Sequence, residues 1–282
     1  MDLSRRSDRT ELLDRDDIPF EDIERNMREL DIINTRLGGH AITVTGFKRL
    51  LSRFDERQKQ EQEQLDRQQT RTGPSGQQGR RPDPGPPEMG QQNRAPLAEI
   101  ARKAHPPLLV AEIGCGGGDN LLAIRRWCRR QGRQVRFVGV DHNAHCIAVA
   151  ASKFPPAEAR WITADYRTLS FGDDRPDILF SSLFCHHFGN GDLVEMLRWM
   201  RAQSGTGFFI NDLERNILAY RSIRLLVSLF SRSYLVKYDA PVSVLRGFRR
   251  NEWVRLFQQA GITEYTLEWR WAFRWLLVSA RY

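Results

Sequence analysis

The chain has 282 residues, of which 40% are apolar and 28% charged, and its formal net charge is +8. This apolar content can form a substantial core, but no apolar run reaches the roughly 18 residues of a membrane span. No apolar stretch follows the first residues, so we predict neither a span nor a secretory signal and expect a cytoplasmic protein. The four cysteines form no C-x-x-C pair, which argues against a zinc knuckle or redox motif.

The N-terminal third divides into two predicted regions. Residues 1–54 are predicted to be a helical cap, because apolar residues recur at helical spacing and Gly38-Gly39 is a stop signal before a second helix over 43–54. Residues 55–95 are rich in Gln, Arg, Glu, Pro and Gly. Such a composition buries too little apolar surface to offset its ordering entropy, so we predict a disordered linker or insertion. The cap is also a candidate homodimer interface.

Residues 96–282 are predicted to form one domain in which strands and helices alternate. The predicted strands are 108–113, 135–140, 160–163, 177–182 and 207–211, and the predicted helices are 119–130, 143–152, 193–203 and 250–260. This alternation indicates a parallel sheet covered by helices on both faces. Two further runs, 263–270 and 275–281, suit an antiparallel pair at the sheet edge. The sequence therefore predicts an α/β, doubly wound, seven-stranded, mostly parallel sheet with an antiparallel C-terminal strand.

A glycine-rich loop follows the first predicted strand and opens the next helix. It reads Gly114-Cys115-Gly116-Gly117-Gly118. Glycine is needed where the backbone turns with positive φ or where a ligand approaches the main chain, and ligands of open α/β sheets bind at the carboxyl ends of the strands. The dinucleotide fingerprint G-x-G-x-x-G fails in both registers, because it would need glycine at Asp119 or at Leu121.

The pattern Glu112-x-Gly114-x-Gly116-x-Gly118 resembles the first motif of class I S-adenosylmethionine-dependent methyltransferases. The resemblance covers roughly residues 106–282 and implies a Rossmann-like fold with S-adenosylmethionine as cofactor. It implies that Asp141 holds the ribose hydroxyls, that Asp165 and Tyr166 lie near the adenine, and that Ser182 lines the methyl-donor pocket. The complete set of predicted cofactor-binding residues is Glu112, Gly114, Cys115, Gly116, Gly118, Asn120, Asp141, His142, Asp165, Tyr166 and Ser182.

The acceptor side is predicted from the segment after the fourth strand. An Asn/Asp-Pro-Pro-aromatic motif is absent there, which counts against DNA or protein amides as acceptors. Instead, this position has the pair His186-His187, which is similar to the methyltransferases of ubiquinone and menaquinone biosynthesis. The later sequence resembles methyltransferases associated with aromatic polyketide enzymes. A phenol ionises near pH 10, so O- or C-methylation at neutral pH benefits from a general base, which we predict to be His186 or His187. The alternative is a histidine that only makes hydrogen bonds in the loop, and we predict no metal site.

Several alternatives stay open from sequence alone. Asp212 and Glu214 end the fifth strand and either orient a base or cap the next helix. The connection 217–248 is apolar and could line the acceptor pocket as a lid or simply pack as helix. The basic domain, with 24 basic and 16 acidic residues over 105–282, raises an RNA methyltransferase as the runner-up. Its arginine cluster over 125–136 lies at the end opposite the predicted site, which argues against nucleic acid as a partner. A catalytically silent cofactor-binding protein is the third interpretation.

Overall fold

The computed structural model describes residues 3–15, 17–71 and 107–281. The helices are α1 Phe20–Arg36, α2 Gly39–Arg71, α3 Asp119–Arg130, α4 Ala144–Ala151, α5 Asn190–Gln203, α6 Ile217–Phe230, α7 Tyr234–Arg246 and α8 Arg250–Gln259. The strands are β1 Leu108–Ile113, β2 Val135–Asp141, β3 Ala159–Thr163, β4 Ile178–Ser182, β5 Gly207–Leu213, β6 Thr266–Arg270 and β7 Arg274–Ala280. Within the described ranges, no helix has the length and apolar composition that crossing a membrane requires.

The strands form one seven-stranded sheet in the order β3-β2-β1-β4-β5-β7-β6. Strands β1 to β5 are paired in parallel, and β7 runs antiparallel to both β5 and β6. The chain order reverses between β1 and β4, so the carboxyl ends of these strands frame the crevice in which such sheets bind ligands. The predicted fold class, with its seven strands and reversed C-terminal strand, is confirmed.

Helices cover both faces of the sheet. Because successive strand residues point to opposite sides, each strand contributes side chains to both buried clusters. Phe180 and Phe209 are register partners whose rings stack 4.6 Å apart, and they face the cluster under α2 and α3. Their neighbours Leu179 and Phe208 face the opposite cluster, which α5 and α8 cover. Two helical layers on one sheet therefore hold the strand ends in fixed positions.

The second N-terminal helix is longer than the sequence predicted. The break at Gly38 is present, with φ of +77°, but α2 begins at Gly39 and continues through Arg71. Residues 55–71 are thus helical where we predicted a linker. Gln, Glu and Arg are good helix formers, and pairs four residues apart, such as Arg57 with Glu61 and Gln62 with Asp66, support the helix. The remainder of that prediction, 72–95, lies outside the described residues.

Helix α1 and the part of α2 up to Phe54 belong to the same structural unit as the sheet. The described residues up to Phe54 and from Leu108 onward form one compact unit, and the part of α2 from Asp55 belongs to a second. Within the first unit α1 packs against α4 and α7, while α2 packs its apolar face on the sheet. The predicted cap is therefore in contact with the carboxyl edge of the sheet rather than a separate body.

Candidate functional site

The glycine loop joins β1 to α3 and has positive φ at three positions. Gly114, Gly116 and Gly118 have φ of +64°, +48° and +73°, a region that residues with a Cβ rarely adopt. A Cβ on Gly114 would overlap the ring of Phe184. Glycine is thus required at 114 so that this ring can pack against the backbone.

The two acids predicted to flank the loop do not have the same role. Asp141, at the end of β2, accepts hydrogen bonds from the amides of Gly116 at 2.8 Å and Asn143 at 2.9 Å, so it fixes the loop. Glu112 is fully buried and accepts from Asn120 Nδ2 at 2.9 Å. Burial raises the pKa of Glu112 well above its ordinary value. Asn120, rather than Glu112, faces the cavity.

Asn120 also connects the loop to α2. Its Oδ1 accepts from Thr43 Oγ1 at 3.1 Å and lies 3.0 Å from His40 Nδ1. The hydroxyl of Thr43 in turn accepts from Asn211 Nδ2 on β5 at 3.0 Å. This polar chain links β1, α3, α2 and β5, and the sequence alone did not reveal it because its members are far apart along the chain.

The residues predicted near the adenine and the donor pocket lie at the ends of β3 and β4. Asp165 accepts hydrogen bonds from the guanidinium group and the backbone amide of Arg167, which lowers the pKa of the carboxyl. Tyr166 is buried among aromatic rings that include Phe184, and burial raises its pKa to about 12. Ser182 ends β4 and lines the same cavity.

The histidine pair forms a short 3-10 helix after β4 and is held through its backbone. Arg6 donates to the carbonyl of His186 at 2.8 Å, and Arg246 donates to the carbonyls of His186 at 2.9 Å and His187 at 2.6 Å. Two guanidinium groups from distant segments therefore fix the turn that presents both imidazoles.

The two imidazoles lie in different surroundings. His186 is 2% exposed, with Nδ1 2.8 Å from Asp212 and Nε2 3.2 Å from Glu11, so a carboxylate faces each ring nitrogen. His187 is less buried, and its Nδ1 lies 3.2 Å from Asp14. The Nε2 of His187 is 3.6 Å from Glu11, which is too far for a hydrogen bond. Asp212 therefore orients an imidazole, and the cap of α6 is Asn216.

The two carboxylates determine the charge of His186. Burial alone would lower its pKa, but Asp212 and Glu11 outweigh burial and raise it to about 9. His186 holds the pKa of Asp212 below its ordinary value despite burial, and His187 together with His186 does the same for Glu11. His186 is thus an imidazolium at neutral pH and is a poor proton acceptor there.

This raised pKa predicts a pH-dependent stability. An unfolded histidine titrates near 6.5, whereas His186 in the folded protein holds its proton up to about pH 9. The stabilisation that the protonated His186 gives the folded state is therefore fully present below pH 6.5 and is lost as the pH rises toward 9. We expect the free energy of unfolding to fall across this range by on the order of 3 kcal/mol. Urea unfolding of the wild type and of His186→Gln measures the effect. The slope should be absent in the variant, and equal slopes in both proteins would contradict the assignment.

Residues 11–14, which lie outside the sheet, form part of the cavity wall. The amides of Leu12 and Leu13 donate to Asp239 of α7 at 2.6 and 3.1 Å, which places Glu11 and Asp14 opposite the histidines. Sequence reasoning missed this contribution, because no local motif marks residues 11–14.

Asn26 of α1 also faces this cavity. It is 1% exposed, yet neither of its amide atoms has a hydrogen-bond partner among the described residues. Buried amides normally have hydrogen-bond partners, so the unpaired amide of Asn26 indicates a site for a polar ligand.

The cavity brings most of the predicted residues together. Its volume is about 450 Å³, within the range of small-molecule sites. Of the predicted residues, those lining it are Gly114, Cys115, Gly116, Asn120, Asp141, His142, Asp165, Tyr166, Ser182, His186 and His187. Glu112 and Gly118 do not line it: Glu112 lies behind Asn120, and a Cβ on Gly118 would face Trp161 and Ala150.

The carboxylate of Glu11 brings the histidines into a possible donor set. Its oxygen and a ring nitrogen from each of His186 and His187 lie within 4.8 Å of one another. Two histidines and a carboxylate suit a divalent metal ion, although the sequence predicted none. In this structure Glu11 lies 3.2 Å from His186 Nε2 and 3.6 Å from His187 Nε2. Treatment with a chelator distinguishes a metal site from these contacts between side chains.

The strand order and the site together define the class of protein. A β3-β2-β1-β4-β5-β7-β6 sheet with an antiparallel β7 and a glycine loop after β1 is the Rossmann-like fold of class I methyltransferases. Residues 110–220 match the sequence model of a family described as a methyltransferase domain. Residues 110–220 are therefore similar to a methyltransferase domain, and the sheet has the strand order of the class I methyltransferase fold.

Several solved structures of methyltransferases are similar to part of this chain. No curated protein matches it at a significant level. Similar solved structures include a proposed O-methyltransferase from Nostoc punctiforme (16% identity, 66% of this chain and 56% of that chain, TM-score 0.46). Magnesium protoporphyrin IX methyltransferase from Synechocystis with bound SAH is 14% identical over 66% of this chain and 79% of that chain, with a TM-score of 0.42. Human N-acetylserotonin methyltransferase in complex with SAM is 16% identical over 61% and 47% of the two chains, with a TM-score of 0.43.

These likenesses are too distant to support a conclusion about this chain. The chain spans little more than half of the Nostoc protein, and all three TM-scores lie below 0.5. The class assignment rests on the observed strand order and on the sequence match.

Proposed function

We propose that the protein transfers a methyl group from S-adenosylmethionine to oxygen or carbon of a small molecule, a phenol, quinol or polyketide-like compound. The observation that carries the proposal is one continuous cavity lined both by the glycine loop with Asp141 and by the histidine pair. Methyl transfer requires donor and acceptor to be aligned side by side, and a shared cavity provides that arrangement.

The residues present fit the cofactor. Asp141 presents a carboxylate to the cavity, and each of its oxygens keeps acceptor capacity for a ribose hydroxyl beyond the one amide that it binds. Asn120 and the unpaired amide of Asn26 are polar groups for the amino-acid end. When bound, S-adenosylmethionine supplies an already activated methyl group. His142, Asp165, Tyr166 and Ser182 remain proposed contacts on the nucleoside side.

Asn26 allows a direct test of cofactor binding. We expect Asn26→Leu, whose side chain has the same branching and number of heavy atoms but no hydrogen-bonding group, to weaken binding of S-adenosylhomocysteine about tenfold, because a hydrogen bond to the ligand is worth roughly 1.4 kcal/mol. Calorimetry on wild type and variant measures the change. The matched control is Asn251→Leu, at an exposed position on α8 outside the cavity. Unchanged affinity in Asn26→Leu would exclude Asn26 as a ligand contact.

The acceptor side offers a base and an aromatic wall. His187 lines the cavity with Nε2 beyond hydrogen-bond distance of Glu11, while Asp14 orients the ring through Nδ1. We assign to Nε2 the removal of a proton from an acceptor hydroxyl. The imidazolium of His186 holds Glu11 and Asp212 in place, so its role is positioning. Phe184 and Phe188 are in edge contact and line the cavity beside His187, which suits a planar aromatic acceptor.

The decisive experiment measures transfer of a labelled methyl group from S-adenosylmethionine to phenols, resorcinols, quinols and total RNA. We expect label in one of the small-molecule classes. Label in RNA alone would establish the runner-up function. Within the arginine cluster, Arg125 and Arg129 are paired with Glu158 at 2.5 and 2.8 Å, which weakens the support that the cluster gives to RNA. Cofactor binding without label in any acceptor would favour the silent cofactor-binding protein.

A further inference from the structure

Helix α6 carries an exposed apolar face that the methyltransferase site does not use. Leu218, Leu225 and Leu229 are 60 to 66% exposed, and Phe230 at the helix end is 78% exposed. Spacings of seven and four residues put the three leucines on one side of the helix. The opposite side, with Ala219 and Val227, is buried. Several large exposed apolar side chains in one place are uncommon on a protein surface that faces only water.

The charges on this helix are all of one sign. Arg221 and Arg224 are exposed on α6 beside the leucines. The sequence from 215 to 238 contains five Arg or Lys residues and no Asp or Glu. The nearby acid Glu29 of α1 is engaged, since it accepts from the amides of Arg232 and Ser233 at 3.0 and 3.1 Å. We call the surface formed by Leu218, Arg221, Arg224, Leu225, Leu229 and Phe230 the α6 face.

We infer that the α6 face binds the surface of an anionic lipid bilayer. A helix with an apolar stripe flanked by arginines lies in the plane of the interface, where leucine and phenylalanine enter the acyl boundary and arginines meet lipid phosphates. A second copy of the chain fits this face less well. A symmetric dimer places a patch on itself, which would bring Arg221 and Arg224 against their own copies with no acid on the helix to pair them.

Attachment through the α6 face brings the cavity near the bilayer. Helix α6 packs on α7, which contributes Asp239, Ala240 and Ser243 to the cavity. A bilayer held against α6 therefore lies close to an element of the cavity wall. This is a clear advantage if the acceptor is a phenol or quinol with an alkyl chain, and this step alone rests on the proposed function.

Vesicle sedimentation with the full chain tests the attachment without any activity measurement. We expect binding to phosphatidylcholine vesicles that contain about 25% phosphatidylglycerol and at least about tenfold weaker binding to phosphatidylcholine alone. Higher salt should weaken the binding, because the arginine contribution is screened. Equal binding to both vesicle types, or binding to neither, would overturn the inference.

Two pairs of variants locate the surface. Leu225→Glu with Leu229→Glu and, separately, Arg221→Glu with Arg224→Glu should each reduce binding at least about tenfold. The charge-matched control is Arg126→Glu with Arg130→Glu on α3, whose side chains are also exposed. Losses of equal size in the control would show general charge attraction instead. Sedimentation equilibrium is run in parallel, and a dimer that the leucine variant dissociates would identify a second copy as the occupant and contradict the bilayer.

Discussion

Replacing His187 with glutamine is expected to lower the rate of methyl transfer by about 10²- to 10⁴-fold, the usual contribution of a general base. Affinity for S-adenosylhomocysteine should change by less than about twofold, because His187 is assigned to the acceptor side and its partner Asp14 belongs to the N-terminal residues 11–14 rather than to the glycine loop. The measurement is kcat and KM with the acceptor that the screen identifies, together with calorimetry. Glutamine preserves a polar side chain at the position while removing the proton acceptor.

His186→Gln is the matched control, since the two imidazoles are adjacent and only their surroundings differ. It should lower stability at neutral pH, because it leaves Asp212 and Glu11 buried without the imidazolium between them. If His186→Gln abolished methyl transfer while His187→Gln kept the wild-type rate, the assignment of base and positioning residue would be reversed. A wild-type rate that EDTA abolishes and Zn²⁺ restores would instead show that Glu11 and the two histidines hold a metal.

The fold could be predicted because its signals are local. Apolar runs bounded by glycine, proline or aspartate marked the strands, and the alternation with helices fixed the sheet class. The prediction was wrong where composition and helix propensity conflict, over residues 55–71. Polar residues there bury little surface, which suggested disorder, yet Glu, Gln and Arg form helices well.

The site could be predicted only in part, for the same physical reason. Strand ends of a parallel sheet meet at one edge, so Asp141 and Ser182 could be placed near the glycine loop from sequence. Glu11, Asp14 and Asn26 reach the cavity from N-terminal elements whose packing no short motif encodes. Their positions depend on long-range contacts such as the hydrogen bonds from Leu12 and Leu13 to Asp239.

The different surroundings of the two histidines are likewise a tertiary property. From sequence, either imidazole could accept a proton. The difference between them arises because Asp212 and Glu11 both contact His186, whereas Nε2 of His187 lacks a hydrogen bond to Glu11. A motif gives the residue type, and the three-dimensional contacts then determine which histidine is available as a base.

Gly114→Ala is the substitution at the loop for which we expect the largest structural effect. A methyl group there would overlap the Phe184 ring, and the backbone has φ of +64°, so both overpacking and strain oppose it. We expect a loss of about 3 kcal/mol in the free energy of unfolding and loss of measurable S-adenosylhomocysteine binding. Urea unfolding and calorimetry measure the two effects.

Gly132→Ala separates backbone strain from the ring contact. Gly132 has a similar φ of +66°, but a Cβ there would meet nothing within 4 Å. It should therefore lose only about 1 kcal/mol, the cost of the conformation alone, and keep cofactor binding. Adding Phe184→Ala to Gly114→Ala should recover at least about 1 kcal/mol relative to the sum of the single changes, because the overlap disappears. Additive losses would mean that glycine at 114 serves the backbone turn and not the ring, so Phe184 could then move without disturbing the loop.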